Sequence, residues 1–225
     1  MVTNNYKDDF MPKETFFNLP DEKRNLIISA ALHEFSRANY NTASINQICR
    51  RANIAKGSFY QYFTDKLDLY VYIMTLGIEE KIRFFSKAVT EFNTLTLEEQ
   101  FRLLFLKGVE FAKKHPLYAA LGEQFSKEND TSAKLAVIKE GNRQSESLFM
   151  RMIQNAKERG EIDSTVDTLA LSLLLQSINN TVYNYMLDKY GEANYQHNEE
   201  DIKSFINSLI NIVFNGIMKR KGCSS

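Results

Sequence analysis

The chain has 225 residues, 44% of them hydrophobic and 25% charged, and its 28 Lys and Arg balance 28 Asp and Glu. That composition fits one large or two small folded domains and excludes both a disordered chain and a protein that coats nucleic acid by bulk positive charge. With 9 glycines and 3 prolines there is too little turn punctuation for a sheet protein, so an all-α fold of about nine helices is expected.

Residues 1–18 carry no apolar run of signal-peptide type and read as an N-terminal extension. From Pro20 onward, Leu26, Ile27, Ala30, Ala31 and Phe35 recur at helical spacing and predict a first helix over about 20–38. After a short polar stretch, Ser44 and Gln47 form a capping box, each side chain expected on the other's backbone amide, which starts a second helix with Ile45, Ile48, Cys49 and Ala52 on one face. Asn53 is suited to the left-handed conformation that ends it. A third short helix follows within 54–63, and a longer one starts at Lys66. Two short helices joined by a tight turn behind a longer one outline a helix-turn-helix unit.

The rest reads as long helices: about 66–92, then from a Thr96–Glu99 capping box to His115, Pro116 to Lys127, Ser132 to Arg159 with a stop at Gly160, from after Ser164 to Tyr190, and Glu199 to Arg220 with a stop at Gly222. The stretch 191–198 is the most linker-like. Cys49 is expected in the core, and with Cys223 174 positions away a reducing, cytoplasmic setting fits. No segment approaches a membrane span, so no membrane partner is expected.

Residues 43–70, ASINQICRRANIAKGSFYQYFTDKLDLY, resemble the DNA-binding signature of the TetR/AcrR family of bacterial transcription regulators. The likeness is specific over about 20–72: a small polar cap, an Ile-x-x-x-Ala spacing, a Lys-Gly-Ser-Phe-Tyr start to the recognition helix, a Tyr-Phe ending, and a lysine just inside the next helix. It implies three parts: the extension at 1–18, a helix-turn-helix domain over 19–66, and a helical effector-binding and dimerisation domain over 67–225. Chemistry and resemblance together make Thr42, Ser44, Lys56, Gly57, Ser58, Tyr60, Gln61, Tyr62 and Lys66 the candidate DNA-binding residues. Phe59 and Phe63 are expected to pack inward and Ser58, Gln61 and Tyr62 to face out; Gln61 suits a base edge and Tyr60 a phosphate. Lys66 sits in a first helical turn, against the dipole preference, which favours a phosphate partner for it. Arg50 and Arg51 read as a solvated face with some attraction for phosphate rather than as base readers. Residues 36–66 hold Arg37, Arg50, Arg51, Lys56 and Lys66 against Asp65 alone, so the positive charge is local.

The last two helices are more apolar than one buried face requires, and the resemblance implies pairing with a second copy: Leu174, Ile178, Val182, Ile202, Phe205, Ile206, Leu209 and Val213 are the expected homodimer contacts. It also implies a cavity for a small, mainly hydrophobic effector, with Phe111, Tyr118, Phe149 and Tyr183 as candidate lining residues. The expected partners are therefore a double-stranded palindromic operator, a second copy of the chain and an effector, with repression relieved by the effector. A helical protein-interaction module of the same fold that does not respond to ligand is the alternative. No catalytic residue, metal site or cofactor is expected: His33, His115 and His197 lie far apart, and neither a phosphate loop nor a nucleophile elbow is present.

Overall fold

Asn53 adopts φ +52°, the left-handed turn that separates two short helices. In the computed structural model, which describes residues 12–89, 92–191 and 198–216, the helices are α1 (Glu14–Phe17), α2 (Asp21–Phe35), α3 (Ile45–Arg51), α4 (Lys56–Tyr62), α5 (Lys66–Val89), α6 (Leu97–Lys114), α7 (Pro116–Ser126), α8 (Thr131–Glu158), α9 (Thr168–Tyr190) and α10 (Glu199–Asn215). A 3-10 turn at Phe92–Thr94 precedes α6, and no strand occurs among the described residues.

Local chemistry explains most boundaries. Thr96 and Glu99 cap each other reciprocally at the start of α6, at 2.8 and 3.3 Å. The Asp167 carboxylate accepts the Ala170 amide at the start of α9, and Gly191 in left-handed geometry ends it. The box expected at Ser44 is only half formed. Ser44 Oγ accepts the Gln47 amide, but the Ser44 amide donates to Glu34 Oε1 at 2.8 Å and the Gln47 side chain accepts Arg50 instead. A carboxylate brought in from α2 outcompetes the local amide. The final described helix spans Glu199–Asn215, followed by Gly216 at φ +73°; the expected end near Arg220 and stop at Gly222 fall outside the described residues. Residues 192–197 of the linker, Lys219, Arg220, Gly222 and Cys223 lie outside the described residues.

The chain divides into two units: residues 1–84 with 115–145, and 85–114 with 146–225. In the first, α1 to α4, most of α5, α7 and the start of α8 surround a core that includes Phe16, Ile27, Phe35, Ile48, Phe59, Phe63, Leu69, Tyr70 and Leu121. Cys49 is buried there, as expected, and burial pushes its thiol up. Leu26, expected inside, is exposed, because the buried stripe of α2 runs through Ile27, Ala30, Ala31 and Phe35. Tyr118 packs over Gly77, where an added Cβ would meet its ring at 3.3 Å.

In the second unit α6, the end of α8, α9 and α10 enclose Phe101, Phe105, Met152, Ile153, Leu175, Ile178, Val182, Met186, Ile202, Ile206 and Ile210. A buried Gln100 ties the preceding turn to α6 by donating to the carbonyls of Phe92 and Leu95 at 2.8 and 2.9 Å. Between α9 and α10, one Asp201 oxygen accepts Tyr185, Lys189 and Tyr190, and the Tyr185 ring stacks on Phe205 at 3.8 Å. The hydrogen bonds from Lys189, Tyr190 and Tyr185 hold the Asp201 carboxyl down at about 2.

Candidate nucleic-acid interface

An isolated helix of seven residues is marginal in water, so α4 exists because its neighbours hold it. Phe59, Tyr62 and Phe63, at positions i, i+3 and i+4, form its buried stripe. The rings of Phe59 and Phe63 lie 5.3 Å apart, and Phe16 of α1 meets Phe63 at 5.0 Å and Tyr62 at 6.3 Å. The opposite face presents Lys56, Gly57, Tyr60 and Gln61 to solvent, with Ser58 at its edge, and it is this face that could reach into a groove.

Tyr62 is the clearest departure from the sequence expectation. It is 6% exposed, whereas Tyr60 is 44% exposed, so Tyr60 and not Tyr62 is the outward tyrosine. Residues 13–17 cover that side, with the Phe16 ring 6.3 Å from that of Tyr62 and the Lys13 amide on the Tyr62 carbonyl, and make Tyr62 a core residue.

Lys66 also departs. Its Nζ donates to the carbonyls of Asn41 and Ala43, both at 3.2 Å, and lies 4.6 Å from the Tyr40 ring centroid. These partners account for a lysine in a first helical turn without any phosphate. Its effect is to pin the α2–α3 loop. Glu128, buried in the turn between α7 and α8, holds the same loop: its Oε2 accepts the Tyr40 amide at 2.7 Å and its Oε1 the Asp130 amide at 2.8 Å.

That loop carries the remaining candidates. Thr42 is exposed, and its hydroxyl donates to Asn39 Oδ1 at 2.8 Å while its amide donates to the same oxygen at 3.0 Å. Ser44 is half-buried; its oxygen accepts the Gln47 amide, which leaves the O–H to donate outward. Arg37, Arg50, Arg51 and Lys56 are exposed. Asp68, at the start of α5, accepts the Thr64 amide at 2.9 Å, and burial pushes its carboxyl up.

The other candidate sets fare unevenly. Ile178, Val182, Ile202 and Ile206 are sealed inside the second unit's own core, so they are not surface contacts for a second copy; Phe205, Leu209 and Val213 are half-buried against that core. Leu174 is 51% exposed, and Leu169 and Leu173 beside it on α9 are equally open. Periodicity finds an apolar stripe but does not say which part the chain itself covers. Phe111 and Tyr183 are buried and Phe149 half-buried in the second unit, while Tyr118 belongs to the first, so the four are not gathered within either unit. Among the described residues no group of three His, Cys, Asp or Glu could hold a metal ion, and no helix is long and apolar enough to cross a membrane.

Residues 27–73 match the sequence model described as bacterial regulatory proteins, tetR family. A stretch of 51 residues is 49% identical to the HTH-type transcriptional regulator HbdR of Aromatoleum sp. (strain CIB), covering 23% of this chain and only 22% of that protein. A solved TetR family transcriptional regulator from Chloroflexus aurantiacus J-10-FL superposes with a TM-score of 0.66 and 28% identity, over 93% of this chain and 100% of that one. The transcriptional regulator FadR from Bacillus subtilis, solved in complex with stearoyl-CoA, has a TM-score of 0.67 at 16% identity, over 86% of this chain and 99% of that one, which is a likeness of fold.

Proposed function

Because the chain is a TetR-family transcriptional regulator, we propose that it reads a palindromic operator as a homodimer, represses from there, and is released by a small, mainly hydrophobic effector. The observation that carries the DNA reading is α4: a buried aromatic stripe on one side and Lys56, Gly57, Tyr60 and Gln61 exposed on the other. Gln61 offers both a donor and an acceptor to a base edge, while Tyr60, Ser44, Lys56 and Arg51 supply donors for the backbone.

A monomer presents one such helix. Two related by a twofold axis read half-sites about one turn of DNA apart, roughly 34 Å. Leu169, Leu173 and Leu174 support the homodimer, since an exposed apolar patch on a long helix calls for a cover and a self-complementary one closes the assembly.

An acyl-CoA is the effector class we favour, by analogy with the stearoyl-CoA complex of B. subtilis FadR. The coupling we propose runs through Glu128. A ligand that favours a different position of the α7–α8 turn withdraws the carboxylate from the Tyr40 amide and frees the loop bearing Thr42 and Ser44.

The test is a duplex selected by the full chain from a randomised library, then titrated with stearoyl-CoA. Release of the duplex supports the account. Unchanged affinity at saturating acyl-CoA overturns the effector class, and failure to select any sequence overturns the operator reading.

A further inference from the structure

We infer that the N-terminal turn, through Lys13 and Thr15, is a clamp that positions the recognition helix for sequence reading; this rests on the DNA-binding function proposed for α4. A helix leaves its last four carbonyls without intrahelical partners. In α4 these belong to Phe59, Tyr60, Gln61 and Tyr62. The Phe63 amide caps Phe59 at 2.9 Å. The other three partners all come from residues 13–15: Lys13 Nζ donates to Tyr60 at 2.9 Å, the Thr15 hydroxyl donates to Gln61, and the Lys13 amide donates to Tyr62 at 2.8 Å.

The clamp is itself fixed. Phe16 is fully buried, with Phe63, Tyr62, Tyr72 and Phe17 around it, so the turn cannot shift without opening the core. Lys13 also brings a positive charge to the negative end of α4's dipole. The carbonyls of Tyr60 and Gln61 are those of the two exposed residues best placed to meet DNA. Holding them fixes the direction in which the Tyr60 and Gln61 side chains leave the helix. Lys13 and Thr15 are thus positioning residues: they set the register of base reading without supplying it.

The experiment compares wild-type chain, Thr15→Val, Thr15→Ser, Lys13→Ala and Lys13→Arg. Each is measured on the duplex that the wild type selects from a randomised library and on poly(dI-dC), across a salt series, with amide exchange followed in the free full-length chain. Thr15→Val removes one hydrogen bond and no charge, so its expected signature is roughly fivefold weaker binding to the selected duplex. Binding to poly(dI-dC) and the salt slope stay as in the wild type. The amides of α4 exchange faster while those of α10 do not, and Thr15→Ser restores both readings. Lys13→Ala follows Thr15→Val in amide exchange, and Lys13→Arg recovers.

Wild-type selectivity retained by both Thr15→Val and Lys13→Ala, with α4 exchange unchanged, overturns the clamp. A parallel loss on both DNAs overturns positioning in favour of simple charge or folding. If the wild type selects no sequence, the DNA-reading function falls and the positioning role with it, whatever the exchange data show.

Discussion

Lys66→Met keeps the aliphatic stem of the side chain and removes its ammonium. Two N–H···O=C bonds of 3.2 Å, to Asn41 and Ala43, and a cation 4.6 Å from the Tyr40 ring are lost together. A half-exposed, rather long bond of this kind is worth about 1 kcal/mol, and the ring contact about 0.5 to 1 kcal/mol, so the variant loses roughly 2 to 3 kcal/mol. For a chain of this size that lowers Tm by roughly 4 to 12 °C, read by circular dichroism. The freed Asn41–Ser44 loop also weakens binding to a selected duplex. The slope of log Kd against log salt stays at the wild-type value, since no phosphate contact has been removed. Had Lys66 been a phosphate ligand, the slope would drop by roughly one unit with Tm unchanged, and that pair of results would refute the structural role derived for it.

Other expectations follow from the same geometry. Gln61→Ala removes an exposed side chain from the reading face and relaxes base preference at one position by about 1 to 3 kcal/mol, with Tm and salt slope unaltered, as a base-substituted duplex series will show. Leu173→Glu, at a position 57% exposed, leaves the fold intact and lowers the sedimenting mass from dimer to monomer, whereas a wild type already monomeric at working concentrations would exclude the α9 interface. Asp201 titrates at about 2 in the folded chain. Because the unfolded carboxyl titrates near about 3.9, its stabilisation is full above that value and is lost as pH falls toward the folded one. The urea midpoint of wild type therefore drops across that window, and Asp201→Asn lowers it at neutral pH and flattens the acid dependence.

Features carried by neighbouring residues were legible in the sequence. Asn53 marks its turn, Thr96 and Glu99 mark a helix start, and the Phe59–Phe63 spacing marks a buried stripe, because each is decided within a few positions along the chain. Partners brought together by folding were not. Lys13 and Thr15 meet α4 across 47 and 46 positions, and Glu128 meets Tyr40 across 88, and no local pattern announces either. The aromatic pair Phe16-Phe17 ahead of Pro20 was the available hint that the N-terminal stretch has a buried side. Tyr62 lies inward for the same reason, since its cover comes from that stretch. On α9 and α10 the apolar pattern fixes how much surface needs burial, but Ile178, Val182, Ile202 and Ile206 are used up by the chain's own core.

Sequence reading by α4 is decided by the ratio of affinities for a selected duplex and for competitor DNA at physiological salt, measured with the full chain. A selected palindrome is expected to bind at least about a thousandfold more tightly than competitor, with Gln61→Ala reducing that ratio. Equal binding to both DNAs, or a ratio that Gln61→Ala leaves untouched, would contradict it.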